Sequence, residues 1–185
     1  MIKLKFFTDE SLNYLKWPYL LLKIKKYLRK KNLSRFREII IDPGVYELRN
    51  SPFYSWENEI DIEEFLNSLP KNHYFSLDYP PDMNQNYEKL FIQKSWENAL
   101  KYHEYEQYIC TVQYKFNNYM DFINWFDRYN SLNIRSGILG IGNMLRHRKL
   151  NEFLKHSLDY AFSHSRHSRM HLYGLCKQAI PVAEN

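Results

Sequence analysis

The stretch that decides the fold is IIIDPGVY, residues 39–46, where an apolar run ends at a carboxylate and the backbone turns immediately afterwards. Three consecutive isoleucines are typical of a strand buried on both faces, as in a parallel sheet. Pro43 and Gly44 interrupt such a strand and indicate a turn. Asp42 is therefore predicted to lie where a core strand reaches the surface.

Similar apolar runs recur along the chain and alternate with amphipathic stretches. The runs are strand-sized and rich in β-branched or aromatic residues, and they lie at residues 3–7, 37–44, 73–80, 107–114, 136–143 and 169–176. Apolar residues at three- and four-residue spacing predict helices, in 11–31 (kinked or divided at Trp17-Pro18), 56–69, 86–106, 117–131 and 147–162. This alternation predicts an α/β fold with parallel strands, open or barrel, in a single domain over residues 1–185.

The composition predicts an aromatic core and a cytoplasmic protein. The chain has 16 Tyr, 12 Phe and 4 Trp, but only 5 Gly and 7 Pro. No run of eighteen apolar residues and no secretory signal is found, so a membrane location is not expected. Cys110 and Cys176 are too few for a disulfide framework or a four-cysteine zinc site and are predicted to be reduced thiols inside strands.

Basic residues are concentrated in two places. Residues 21–37 contain eight Lys or Arg and no acid, and their apolar residues recur at helical spacing, which predicts a helix with a basic outer face. That face is either simply solvated or binds nucleic acid, through Lys23, Lys25, Lys26, Arg29 and Lys30. The second cluster, residues 164–171, has no acidic or thiol partner at ligand spacing, so a solvated or phosphate-facing loop is expected and no metal or cofactor is predicted.

Every run after the first has polar side chains or glycines at its carboxyl end. In parallel α/β folds ligands bind beyond the carboxyl ends of the strands, which is where these residues fall: Asp42, Asp78, Gln113, Gly140, Gly142 and Tyr173. A carboxylate accepts two parallel N–H bonds from a guanine-like edge, an amide both donates and accepts, and glycine lets a ring approach the backbone. A pocket for a flat heterocycle is one interpretation, and an ordinary Asx turn at either aspartate is the other.

The ordered series IIIDPGVY, FSLDYPPD, CTVQY, ILGIGNM and MHLYGL resembles the queuine/archaeosine tRNA-guanine transglycosylase superfamily, including relatives that insert 7-deazaguanines into DNA. The resemblance covers about residues 37–176. It implies a TIM-like (β/α) barrel, here compact or incomplete because six strands are recognisable. It also implies exchange of guanine in tRNA or DNA for a 7-deazaguanine base.

The resemblance assigns roles to the polar residues at the strand ends. Asp42 corresponds to the carboxylate that assists proton transfer at the purine, Asp78 to the aspartate that binds the guanine edge, and Gln113 to the glutamine at the carbonyl side of the base.

The same resemblance places two glycines and an aromatic ring around the base. Gly140 and Gly142 fall in the segment whose backbone borders the pocket, and Tyr173 is at the position that packs against the bound base.

One family feature is missing, and three hypotheses follow. The nucleophilic aspartate expected beyond the MHLYGL segment is not found, because residues 177–185 contain no aspartate. The chain is either a pentosyltransferase in which Asp42, Asp82 or Glu47 replaces the nucleophile, or an inactive base- or nucleic-acid-binding module. In the second case a homodimer or a partner subunit could complete it. The third hypothesis is a nucleoside hydrolase or glycosidase using Asp42 and Asp78 as acid and base.

Overall fold

The computed structural model describes residues 18–30, 32–44, 60–81, 85–116, 118–143 and 152–173. Strands and helices alternate along these residues, as the sequence predicts. The strands are β1 Tyr19–Lys23, β2 Glu38–Asp42, β3 His73–Phe75, β4 Cys110–Val112, β5 Ile138–Ile141 and β6 Arg169–Leu172. The helices are α1 Ile24–Tyr27, α2 Ile62–Ser68, α3 Glu88–Tyr102, α4 Tyr119–Asn130 and α5 Glu152–His164, and a short 3-10 turn at Gln85–Tyr87 precedes α3.

The strands form two three-stranded parallel sheets, each in chain order, β1-β2-β3 and β4-β5-β6. A single parallel bridge between Phe75 and Tyr108 joins the sheets. At this bridge the Phe75 N–H donates to the Gln107 carbonyl at 2.8 Å, and the Ile109 N–H donates to the Phe75 carbonyl at 2.8 Å. The predicted α/β class with parallel strands is confirmed, and no closed barrel is seen among the described residues.

Strand β2 is buried on both faces, which explains the isoleucine run. Ile39 and Ile41 belong to the large cluster that packs against the helices, whereas Ile40 belongs to a small cluster on the opposite face. That inner cluster also contains Tyr74 and Ile138, which come from different sheets. Successive side chains of a strand point to opposite faces, so Ile40 faces away from Ile39 and Ile41. Because residues of both sheets meet in the inner cluster, the two sheets share one apolar interior.

An ion pair crosses this interior. Arg169 in β6 lies 3.4 Å from the Glu38 carboxylate in β2 and donates to the Tyr74 hydroxyl in β3 at 3.1 Å. In a flat six-stranded sheet, β2 and β6 would be separated by four strand spacings, about 19 Å. The sheets are therefore curved towards each other, so that residues of β2 and β6 come into contact.

One prediction about the basic segments is wrong, and another holds for only part of its segment. Residues 21–37 do not form one basic helix, because residues 19–23 are strand β1 and only the single turn Ile24–Tyr27 is helical. Leu20 and Leu22 are buried and pair with the isoleucine strand, so sheet pairing prevails over the helical spacing. In the second cluster residues 165–168 form a loop as predicted, whereas His164 ends α5 and Arg169 lies in β6, the strand predicted at 169–176, where it is ion-paired with Glu38.

The predicted aromatic core is confirmed. Eight of the largest fully buried side chains are Tyr102, Tyr108, Tyr114, Tyr129, Phe75, Phe91, Phe122 and Phe126. Cys110 is a buried thiol in β4, as predicted, while Cys176 and the strand predicted at 3–7 lie outside the described residues. Within those residues no cluster of three metal-binding side chains occurs, and no helix is long and apolar enough to cross a membrane.

Candidate functional site

Asp78 is the centre of the candidate site, three residues beyond the end of β3. It is only 7% exposed. The Ser76 hydroxyl donates to Asp78 Oδ1 at 2.8 Å, and the Gln113 amide donates to Asp78 Oδ2 at 2.5 Å. Each carboxylate oxygen thus has one side-chain donor and keeps lone-pair capacity for a further donor.

Burial, and after it the neighbouring charge of Asp42, raise the pKa of Asp78 from its ordinary value of 3.8 to about 6. The hydrogen bonds from Ser76 and Gln113 stabilise the charged form and oppose the rise without cancelling it. Asp78 is therefore mostly ionised at neutral pH and takes up a proton in mildly acidic solution.

Asp42 ends β2 and is partly exposed. Its Oδ1 accepts the Gly44 N–H at 2.6 Å, and Gly44 has φ 69°, a conformation that favours glycine. This is the Asx turn that the sequence offers as an alternative role. The same carboxylate also raises the pKa of Asp78, so Asp42 both forms the turn and lies beside the site.

Gln113 lies directly against Gly142. A Cβ at Gly142 would overlap the Gln113 amide, so the glycine is needed for space and not for an unusual φ. While Asp78 is ionised, the amide must turn Nε2 towards it, which leaves Oε1 buried and without a hydrogen-bond partner among the described residues. The position of Gln113 is thus fixed by Asp78 on one side and by Gly142 on the other.

Gly140 makes room for Thr111 and Tyr173 in the same way. A Cβ at Gly140 would lie 2.5 Å from Thr111 Oγ1 and 3.0 Å from Tyr173 Cε2. The Tyr173 N–H donates to the Ile141 carbonyl at 2.9 Å, which holds the tyrosine to the end of β5. Burial and the charge of Asp78 raise the pKa of Tyr173 well above its usual range, so it stays neutral.

His171 adds an imidazole beside Tyr173. The two rings meet edge to face, with centroids 4.3 Å apart. Although the residue keeps partial exposure, loss of hydration lowers the pKa of His171 to about 4. The imidazole is therefore neutral above mildly acidic pH, where it can donate or accept a hydrogen bond.

The basic segment begins beside Asp42. Lys23, the last residue of β1, is the register partner of Asp42 in β2. Lys25 and Lys26 follow in α1, and Arg29 and Lys30 come after that helix. The predicted polyanion-binding residues are therefore not on one helix face, but they leave the sheet at the carboxyl edge where Asp42 lies.

Five of the six predicted strand-end residues lie in contacts of this site. Asp78 bonds to Gln113, Gln113 packs against Gly142, and Tyr173 packs against Gly140. The sixth, Asp42, acts on Asp78 through its charge. The proposed substitutes Asp82 and Glu47 lie outside the described residues. The sequence interpretation missed Ser76, Thr111 and His171. A simple signal could have found them, because each lies two residues before a predicted site residue and therefore on the same strand face.

No family model, no curated protein and no solved structure matches this chain.

Proposed function

We propose that the protein acts on the N-glycosidic bond of a guanine-type base in tRNA or DNA, as a transglycosylase-like enzyme that exchanges guanine for a 7-deazaguanine. The observation that carries the proposal is the buried Asp78 carboxylate, held by Ser76 and Gln113 and adjoined by the charge of Asp42. The proposal includes a compact or incomplete TIM-like barrel, which the chain order of the parallel strands and the ion pair across the interior support.

Base recognition would depend on Asp78. A guanine-type edge presents two adjacent N–H donors, and the remaining lone pairs of the two Asp78 oxygens can accept them in parallel. The Tyr173 ring, packed over Gly140, offers an aromatic surface for the heterocycle. Its neutral hydroxyl adds no charge to the pocket.

Asp42 would supply the nucleophile. Its carboxylate would displace the base from ribose C1′ and form a glycosyl ester, while the departing base takes up a proton at the ring nitrogen of the broken bond. In the second half-reaction the incoming base attacks C1′ through the corresponding nitrogen, loses its proton, and releases the Asp42 carboxylate. Asp42 is partly exposed at the strand end, whereas Asp78 is buried, so the two carboxylates suit different roles.

Exchange of radiolabelled guanine into bulk tRNA and into DNA tests the proposal. Label should enter one of the two polymers, and Asp42→Asn and Asp78→Asn should each abolish it. Asp159→Asn, which removes an exposed carboxylate on α5, should not. Absence of label in both polymers at high protein concentration contradicts the proposal. A rise in melting temperature with 7-deazaguanine but no label would identify a binding module instead.

A hydrolase is the second candidate, and the raised pKa of Asp78 beside Asp42 favours it. Two carboxylates whose environments separate their proton affinities are the usual acid and base of glycosidic-bond hydrolysis. Under this alternative, water attacks C1′ and free sugar accumulates from nucleosides without any polymer. Detection of a free reducing sugar separates hydrolysis from exchange.

A further inference from the structure

Ser76 and Thr111 form a buried hydroxyl pair behind Asp78. Their hydroxyl oxygens are 2.7 Å apart, and Ser76 is fully buried while Thr111 is 2% exposed. Thr111 and Gln113 are two residues apart, one at the centre of β4 and one just beyond its end. The β4 segment thus reaches both Asp78 oxygens, Oδ2 directly through Gln113 and Oδ1 through Ser76.

The direction of this chain follows from counting protons. A serine hydroxyl has one hydrogen, and that of Ser76 is donated to the Asp78 carboxylate. The short contact between Ser76 and Thr111 must then use the hydrogen of Thr111, with Ser76 as acceptor. Two aligned hydroxyl dipoles therefore point their positive ends towards the ionised carboxylate.

We infer that Ser76 and Thr111 are positioning residues, which fix the rotation of the Asp78 carboxylate so that its two oxygens present parallel acceptors to the base. A carboxylate held at one oxygen only could rotate about its Cβ–Cγ bond and lose that alignment. The role in base binding rests on the proposed function. The effect on the protonation of Asp78 does not, because it is a property of the protein without ligand.

The other titratable groups around Asp78 do not replace the hydroxyl pair. Asp42 disfavours the charged form of Asp78. Among the described residues, the other neighbours whose ionisation interacts with Asp78 are Tyr108, Tyr129 and Tyr173, and burial raises the pKa of each well above 10. These tyrosines are uncharged over the range in which Asp78 titrates. The neutral side-chain donors Ser76 and Gln113, together with the backbone N–H of Asp78, are therefore the groups that favour ionisation of this carboxyl.

The test is a carbon-13 NMR titration of the Asp78 carboxyl carbon, assigned with Asp78→Asn, in the unliganded full chain. Ser76→Ala should raise the pKa of Asp78 by about one pH unit, the size expected for a lost hydrogen bond to a charge. Thr111→Val, which keeps the shape and removes the hydroxyl, should raise it by less. Thr111→Ser should restore the wild-type value. Ser157→Ala, at a buried serine in α5 without a hydrogen-bond partner among the described residues, is the matched control.

A Ser76→Ala value equal to wild type overturns the inference, and so does a Thr111→Ser value that matches Thr111→Val. If Ser76→Ala fails to fold, Thr111→Val and Thr111→Ser decide alone, since the Thr111 hydroxyl bonds to Ser76 and not to the carboxyl. Failure of the proposed function gives a different pattern. The pKa of Asp78 still changes among the variants as expected, but neither the wild type nor any variant exchanges labelled base.

Discussion

Replacing Asp78 with asparagine should stabilise the protein near neutral pH. Asp78 is 7% exposed, and its pKa is raised from 3.8 to about 6, mainly by burial. A tenfold change in proton affinity corresponds to about 1.4 kcal/mol, so the rise in pKa from 3.8 to about 6 corresponds to about 3 kcal/mol. The folded state holds this proton more tightly than the unfolded chain, and the contribution of Asp78 to stability therefore falls as pH rises from about 4 to about 6.

Asparagine has the same shape and does not ionise. Its carbonyl can accept from Gln113, and its amide can donate to the Ser76 oxygen, so the packing is kept. The free energy of unfolding of Asp78→Asn minus that of wild type is expected to increase by about 3 kcal/mol between pH 4 and pH 7. Most of the increase should fall between pH 4 and pH 6.

Urea unfolding followed by tryptophan fluorescence measures this difference at each pH. The difference between variants is needed because His171 acts in the opposite direction. The pKa of His171 is lowered to about 4, so its contribution to stability grows as pH rises from about 4 to 6.5. The exposed Asp159, changed to asparagine, controls for removal of a carboxylate as such. A difference that is flat or decreases between pH 4 and pH 7 would refute the reasoning about Asp78.

Three further outcomes are expected. Gly142→Ala places a methyl group against the Gln113 amide. It should destabilise the fold by about 1–3 kcal/mol in urea unfolding and weaken base binding. Unchanged stability would show that the amide moves at no cost. Lys25→Glu with Lys26→Glu should weaken polynucleotide binding and flatten its salt dependence in a filter-binding titration, and unchanged affinity across salt would leave that segment as a solvated surface. Arg169→Met should lower the free energy of unfolding by about 1–2 kcal/mol, because its hydrogen-bonded ion pair across the interior is lost, and a neutral effect would contradict its role in joining the sheets.

The alternation of strands and helices could be predicted because most elements have an unambiguous period. Helix α4 shows this well, since Phe122, Phe126 and Tyr129 recur at four- and three-residue spacing and are all buried. Residues 19–23 could not be assigned in this way. Leucines at consecutive positions satisfy both a helical and a strand pattern, and the pairing with Ile39 and Ile41 that decides the outcome is a tertiary contact.

The position of the candidate site could be predicted from one rule about parallel strands, but its internal contacts could not. Asp78 and Gln113 were both expected at the carboxyl edge, and they form a direct hydrogen bond. Nothing in the sequence says which of the two Gln113 amide atoms faces Asp78. That choice follows from the charge of the carboxyl, which depends on burial by residues far away in the chain.

The ion pair between Arg169 and Glu38 shows why the sequence around Arg169 does not predict its contacts. Arg169 lies between His167 and His171, and this sequence context predicts a solvent-exposed side chain. Its actual partners are 131 and 95 residues away, at Glu38 and Tyr74. Only curvature of the sheets brings them within reach, whereas the contacts of Thr111 with Ser76 and Gly140 join segments that are already neighbours in the strand order. The cluster around Asp78 therefore depends on the pairing of neighbouring segments, and the Arg169 contact depends on curvature, so Arg169→Met should disturb the contact between β2 and β6 more than the Asp78 cluster.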